Sequence, residues 1–239
     1  MAALPMTSPA PATIDRPFAD LRPFLEFVRG LGLAPSLIVD VGANRGRWTE
    51  LAREIFPTAE VLMIEPQPEM RDDLDALCSR LPGVRRVEVA VGAREEVRHQ
   101  TIWEDLQGSS FLPAADPERI ATGEQRPVRV RRLDDLLAEE YGGRAPELVK
   151  LDVQGFELEV LRGAPSLFGR TELFVLETSL YEFLDGLPLL REVIEFMAAR
   201  GYEVYDVAGY IRRPVDGALG QLDVAFARQR GLLRPDDRW

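Results

Sequence analysis

The order of apolar and polar positions along the chain predicts strands and helices in alternation. Short runs rich in Val, Ile and Leu are typical of buried strands in a parallel sheet, and they occupy residues 37–41, 60–65, 86–91, 148–153 and 173–177. Segments with apolar residues every three or four positions predict amphipathic helices, over 18–31, 46–56, 67–80, 133–141, 156–168 and 188–200. Two closing strands, 202–206 and 222–227, have no helix between them, so the last should return antiparallel. The pattern therefore predicts an α/β fold with a mostly parallel seven-stranded sheet and helices on both faces.

The alternation is interrupted between residues 93 and 132. Val97 to Trp103 and Val128 to Arg132 alternate like exposed strands, and a polar loop containing Gln107-Gly-Ser-Ser-Phe111 lies between them. We expect an antiparallel β insertion at the ligand-facing end of the sheet, which forms part of a substrate pocket and its lid. Residues 18–239 are predicted to be a single domain, and residues 1–17 a disordered tail or an arm over a neighbour.

The first strand leads through a glycine turn into a helix. In Asp40-Val-Gly-Ala-Asn-Arg-Gly46 the turn leaves backbone N–H groups at a helix start, where a ligand can approach closely. The second strand ends on Glu65, and an acid at this point accepts hydrogen bonds from ribose hydroxyls in dinucleotide folds. We therefore predict a cofactor that contains adenosine, bound by Asp40, Gly42, Asn44, Gly46 and Glu65.

The spacing of these glycines indicates which cofactor. Gly42 and Gly46 do not form the Gly-x-Gly-x-x-Gly fingerprint of pyrophosphate sites, and Asp40 and Asn44 place charge and bulk where a pyrophosphate needs neither. A cofactor with a sulfonium, an ammonium and one carboxylate fits better. The pattern Asp-x-Gly-x-x-x-Gly with a later acid resembles motifs I and II of class I S-adenosylmethionine (SAM) methyltransferases. An NAD(P)-dependent oxidoreductase is the less favoured alternative, because a Tyr-x-x-x-Lys pair is also missing.

A second motif narrows the resemblance to one family. The segment Val149-Lys-Leu-Asp-Val-Gln-Gly-Phe-Glu-Leu-Glu-Val-Leu-Arg-Gly-Ala164 resembles the signature of FkbM-type methyltransferases, and further matches are Glu65-Pro66, Arg132 to Leu136 and Gln221 to Phe226. The resemblance implies a Rossmann-like class I fold and SAM as cofactor. It also implies O-methylation of a sugar, polyketide or other secondary metabolite in natural product biosynthesis, without fixing the acceptor. A SAM-binding scaffold that has lost catalysis is the alternative.

Methylation of a hydroxyl requires removal of a proton, so a general base or a metal is expected. The candidates are Asp152 at the end of the fourth strand, Glu177 at the end of the fifth, and His99 in the insertion, the only histidine. Asp152 and Glu177 can instead hold Mg²⁺ through their oxygens. We favour the carboxylates around Asp152, because adjacent parallel strands end side by side. Lys150 lies in an apolar strand and must pair with an acid or reach solvent.

Composition limits the class of partner. The 29 Lys and Arg against 40 Asp and Glu give a net charge of −11, and no basic stripe is present, so no nucleic-acid partner is expected. The single cysteine, Cys78, excludes an internal disulfide and favours a cytoplasmic protein. No apolar run approaches the ~20 residues that cross a bilayer, so no membrane partner is expected. The expected partner is a small-molecule hydroxyl acceptor, and a homo-oligomer remains open.

Overall fold

The computed structural model describes residues 16–238, so nearly all of the predicted tail over 1–17 lies outside the described residues. Seven strands form the main sheet: β1 Leu37–Val41, β2 Glu60–Ile64, β3 Val84–Val87, β7 Leu148–Leu151, β8 Leu173–Ser179, β9 Tyr202–Arg212 and β10 Leu219–Arg228. Their order is β3-β2-β1-β7-β8-β10-β9. Five adjacent strands of this sheet are parallel, namely β3, β2, β1, β7 and β8. The strand β10 is antiparallel to both β8 and β9. The predicted seven-stranded sheet and its reversed last strand are confirmed.

Helices cover both faces of this sheet. They are α1 Leu21–Gly30, α2 Arg47–Ile55, α3 Arg71–Arg80, α5 Leu133–Tyr141, α6 Glu157–Arg162 and α7 Leu190–Ala198, whereas the short α4 Pro117–Thr122 packs on the insertion strand Gln125–Arg131. Alternate residues of β1 pack into two separate apolar cores, because successive side chains of a strand point to opposite faces of the sheet. Ile38 packs with α1 to α3, whereas Val39 packs with α5 to α7. Within residues 16–238, no helix is long and apolar enough to cross a membrane.

The insertion forms a second, three-stranded sheet. Its strands are β4 Ala90–Val91, β5 Glu96–Thr101 and β6 Gln125–Arg131, in the order β4-β6-β5. The expected antiparallel pairing is found between β5 and β6, but β4 pairs parallel to β6. The single strand predicted over 86–91 is therefore wrong. Its first half belongs to the edge of the main sheet, and its second half leaves that edge to pair with the insertion.

A close approach between α6 and the insertion explains why the helix predicted over 156–168 ends at Arg162. A Cβ atom at Gly163 would overlap the carbonyl oxygen of Gly92, so the backbones touch where the helix ends. Pro165 then opens a short 3₁₀ turn over Pro165–Leu167. The base of the insertion is thus packed against the segment that follows β7.

This approach predicts the cost of a methyl group at the contact. Gly163→Ala should lower the free energy of unfolding by about 2 kcal/mol, the usual cost of overpacking, because neither backbone can retreat. Gly30→Ala is the matched control, since a Cβ there meets no atom within 4 Å and Ala favours a helix. Urea denaturation of both variants measures the difference. Equal stability of the two would show that this contact is not tight.

Candidate functional site

A cavity of about 410 Å³ lies at the carboxyl ends of the parallel strands. This is the edge where open α/β sheets bind ligands, and β1 and β7 meet there with their following helices on opposite faces. Main-sheet residues that line the cavity include Gly42, Asn44, Glu65, Gln67, Asp152, Gln154 and Glu177. The insertion adds Gln100, Asp105, Gln107, Gly108, Ser109 and Phe111. The volume is that of a small-molecule site.

One side of the cavity is built around Glu65, which directly follows β2. Its Oε2 accepts a hydrogen bond from the backbone N–H of Asn44 at 2.8 Å, and its Oε1 accepts one from the N–H of Gln67 at 3.0 Å. Burial raises the pKa of Glu65, and these hydrogen bonds oppose the rise. The carboxylate therefore has a fixed orientation in the cavity wall. Of the five residues predicted to bind a cofactor, Gly42, Asn44 and Glu65 line the cavity.

The other two predicted residues, Asp40 and Gly46, do not line the cavity. They lie at the two ends of the segment that forms the glycine turn. Asp40 is fully buried and accepts a hydrogen bond from Thr49 Oγ1 at 2.7 Å. Gly46 has a positive φ of 76° and precedes α2, and a Cβ there would press on Leu77 of α3. Both residues therefore contact the protein interior and hold the turn in place, rather than facing the cavity.

Lys150 joins the ends of β1 and β7. Its Nζ donates a hydrogen bond to the carbonyl of Gly42 at 2.9 Å, and lies 3.3 Å from Asp40 Oδ1 and 3.4 Å from Asp152 Oδ2. Burial alone lowers the pKa of Lys150, but the carboxylates of Asp152 and Asp40 more than offset it, so the pKa is raised. The expectation that this lysine pairs with an acid is confirmed, and the side chain stays cationic at neutral pH.

The opposite side of the cavity holds a carboxylate pair bridged by one amide. Gln154 Nε2 donates to Asp152 Oδ1 at 2.8 Å and to Glu177 Oε2 at 2.6 Å. Burial raises the pKa of Glu177 well above its usual range, and the nearby carboxylates of Asp152, Glu157 and Asp223 raise it further. The structure thus brings the predicted Asp152 and Glu177 together. Gln154 is the bridging residue that the sequence analysis missed, although it lies within the quoted motif.

His99 does not line the cavity. It lies in β5 opposite Pro127, and its neighbour Gln100 is the residue that lines the cavity. Because side chains alternate along a strand, His99 faces away from the carboxylate pair. As for the predicted metal, no group of three or more His, Cys, Asp or Glu suited to hold an ion occurs among residues 16–238. Asp152 and Glu177 alone would leave most of the coordination of Mg²⁺ to water or substrate.

The insertion loop covers the Glu65 side of the cavity. The carbonyl oxygen of Leu106 accepts hydrogen bonds from Asn44 Nδ2 at 3.2 Å and from Gln67 Nε2 at 3.0 Å. Further along, Ser110 Oγ donates to the carbonyl of Gln154 at 2.6 Å. The loop is thus anchored on both sides of the cavity.

Three polar atoms of the cavity residues have no partner. Gln67 Oε1, Gln100 Oε1 and Ser109 Oγ are buried, and nothing in the part of the chain that the structure describes hydrogen-bonds to them. A buried polar group without a partner costs about 1–3 kcal/mol. These atoms are therefore free to bind the polar edge of a ligand.

The fold and site define a class of protein. A seven-stranded sheet with one reversed strand placed between β8 and β9 is the arrangement of class I methyltransferases. The Methyltransferase FkbM domain profile matches residues 40–204, and the chain belongs to this family. The predicted family resemblance is confirmed.

Individual proteins show the range of this similarity. The chain is 30% identical over 153 residues to Methyltransferase sdnD of Sordaria araneosa, a match that covers 53% of this chain and 59% of that protein. It is 25% identical over 219 residues to 2-O-methyltransferase NoeI of Sinorhizobium fredii, with 85% and 86% covered. Fibrillarin of Aeropyrum pernix, solved with natively bound SAM, aligns with a TM-score of 0.47 at 12% identity, over 85% of this chain and 73% of that one.

The turn that carries Gln154 predicts a pH effect on stability. Glu157 accepts hydrogen bonds from the N–H groups of Val153 and Gly155 at 3.0 and 3.1 Å, and burial raises its pKa to about 7. The folded protein therefore keeps a proton that the unfolded chain has released, and the free energy of unfolding falls as pH rises from about 4.5 to about 7. Glu157→Gln removes this loss, so its stability relative to wild type should improve by about 2–3 kcal/mol across that range.

The control for this prediction is Glu159→Gln on the same helix, where Glu159 pairs with Arg162 at the surface. Urea denaturation at pH 5 and pH 8 gives both differences. For Glu159→Gln, the difference in unfolding free energy from wild type should be the same at both pH values. The same result for Glu157→Gln would contradict the raised pKa of Glu157.

Proposed function

We propose that this protein is a SAM-dependent O-methyltransferase that acts on a hydroxyl of a sugar, polyketide or other secondary metabolite. The observation that carries the proposal is one cavity with Glu65 on one side and the Asp152–Glu177 pair on the other. The name of NoeI, a 2-O-methyltransferase, supports a hydroxyl as the target. A cytoplasmic location, a small-molecule acceptor and a homo-oligomer remain predictions.

The cavity residues fit this cofactor. Glu65 offers a fixed carboxylate to the ribose hydroxyls, and Gly42 and Asn44 offer a turn that closely approaches the methionine end. The unpartnered atoms of Gln100 and Ser109 offer hydrogen bonds to the polar edge of the adenine. When bound, SAM supplies an electrophilic methyl group on a sulfonium.

The carboxylate pair is assigned to the acceptor hydroxyl. Bound SAM would supply the methyl group to the hydroxyl oxygen, so a residue of this chain must accept the hydroxyl proton. We assign the proton to Glu177 Oε1, the oxygen that Gln154 does not contact, because a base with a raised pKa is better matched to neutral pH. Asp152 orients the hydroxyl from the neighbouring strand end. Near-attack positioning of the hydroxyl in this site is expected to contribute further to the rate.

Calorimetry and turnover separate this proposal from its alternatives. SAM and S-adenosylhomocysteine should bind and NAD should not, whereas an oxidoreductase would show the reverse. Formation of S-adenosylhomocysteine with a panel of sugar and phenolic acceptors then tests for catalysis, and its absence across the panel favours a scaffold. Loss of turnover in EDTA with recovery in Mg²⁺ would move the Asp152–Glu177 pair to the role of metal ligands.

Glu65→Gln is expected to weaken SAM binding. The substitution keeps the size of the side chain but removes the charge, so affinity should fall by about 1.5–3 kcal/mol, the range for a hydrogen bond to a charged group. Glu69→Gln is the matched control, because Glu69 pairs with Arg126 outside the cavity and such surface pairs contribute only about 0–1 kcal/mol. Titration calorimetry measures both. Equal affinity of the two variants would remove Glu65 from the cofactor site.

Both Glu177→Gln and Asp152→Asn are expected to bind SAM. Turnover of Glu177→Gln should fall by roughly 10²–10⁴-fold, the contribution of general-base catalysis, and Asp152→Asn should also lose turnover because the hydroxyl is no longer oriented. His99→Ala is the control and should keep the wild-type rate, because His99 faces away from the pair. The wild-type rate should fall as pH drops through the raised pKa of Glu177, since only the ionised carboxylate accepts a proton. Full activity of Glu177→Gln would refute its role as base, and an inactive His99→Ala would transfer that role to the insertion.

A further inference from the structure

A second depression continues from the cavity onto the protein surface. It measures about 560 Å³ and lies between the loop after β8 and the β9–β10 hairpin. We call it the hairpin groove and define it by Tyr181, Phe183, Ile211, Arg213, Val215 and Gln221. None of these residues belongs to the insertion, where the sequence predicted the acceptor pocket.

The walls of the hairpin groove combine exposed apolar side chains with the polar side chains of Glu182, Arg212, Arg213 and Gln221. Phe183 is 55% exposed, Ile211 54% and Val215 75%. Neighbouring large apolar side chains that face water together mark a binding surface more often than isolated ones do. The guanidinium of Arg213 lies 4.0 Å from the centre of the Tyr181 ring, which holds this ring at the edge of the groove.

The hairpin groove is continuous with the candidate active site. Ile211 and Gln221 line both the groove and the inner cavity. In the β8–β10 pairing, Gln221 lies opposite Ser179, and Ser179 follows Glu177 by two residues in β8. The groove therefore opens at the strand end that carries the assigned base. A molecule that lies in the groove can therefore present a hydroxyl to the Asp152–Glu177 pair.

The size of the inner cavity indicates what the groove is for. At about 410 Å³ the cavity is near the lower end of the range for small-molecule sites, and the proposed function places both SAM and the acceptor hydroxyl in it. We therefore expect the body of an acceptor to extend beyond the cavity. The groove is the adjoining surface, and its aromatic and aliphatic side chains suit a hydrocarbon chain or a ring.

We propose that the hairpin groove binds the apolar part of the methyl acceptor, so that the substrate is an amphipathic molecule with a hydroxylated head and an apolar tail. The inference rests on the proposed function and extends it to the substrate class. Tyr181, Phe183 and Ile211 contact the tail, while the head reaches Asp152 and Glu177.

Alkyl glucosides of increasing chain length test this inference. Methyl, butyl, hexyl and octyl β-D-glucoside, together with phenyl β-D-glucoside, are titrated below their micelle concentrations into the protein saturated with S-adenosylhomocysteine. Affinity should rise by about threefold or more from butyl to octyl, because methylenes leave water. A gain for phenyl over methyl but none along the alkyl series would identify the tail as a ring. Affinity that is independent of both chain and ring overturns the proposal.

The matched variants locate the effect. The double substitution Tyr181→Ala with Phe183→Ala should abolish the dependence on chain length, whereas Val97→Ala, at an exposed apolar residue of β5 outside the groove, should keep it. Both residues of the double variant are exposed, so the fold should survive, and binding of S-adenosylhomocysteine by each variant checks this. If the wild type fails to bind S-adenosylhomocysteine, the proposed function fails. If it binds but the double variant keeps the full chain-length dependence, only the groove assignment fails.

Discussion

The arrangement of the site depends on the buried ammonium of Lys150. This group contacts the carbonyl of Gly42 and the carboxylates of Asp40 and Asp152, and so ties the turn after β1 to the end of β7. Removing one partner of a buried ion pair commonly costs about 3–5 kcal/mol, because the other charge remains without compensation. Here, loss of the ammonium would leave two carboxylates facing each other across the sheet. The conformation of the glycine turn and the orientation of Asp152 therefore both depend on Lys150.

The acidic groups beyond Lys150 give the two sides of the cavity different properties. On one side, backbone N–H groups hold Glu65 in place. On the other side, the single amide nitrogen of Gln154 donates hydrogen bonds to both Asp152 and Glu177. The two carboxylates therefore lie close together. Burial and like charges then raise the pKa of Glu177. The site thus combines a carboxylate whose orientation is fixed by backbone N–H groups with a second carboxylate whose pKa is raised.

The main sheet could be predicted closely because its signals are local. Four of the five parallel strands, β1, β2, β7 and β8, are buried and mostly apolar, and the predicted helices keep a regular spacing. The segment 86–91 was misread because Val87, Val89 and Val91 alternate as in one strand, although the segment belongs to two sheets. Val84–Val87 forms the edge of the main sheet, while Ala90–Val91 pairs with β6, which lies some forty residues later in the chain. Pairing with a distant strand leaves no trace in the local pattern.

For the candidate site, local sequence patterns were enough to predict the turn after the first strand, the acid that ends the second, and the motif that carries Lys150, Asp152 and Gln154. These follow from strand ends and short-range geometry, since parallel strands deliver their last residues to one edge. The tertiary structure sets the direction of each side chain, which these local patterns do not contain. It turned Asp40 inward to Lys150, aimed Gln100 rather than His99 at the cavity, and brought the β9–β10 hairpin beside Glu177. Side-chain direction and the meeting of distant segments depend on packing across the whole domain, which the residues of a single segment do not encode.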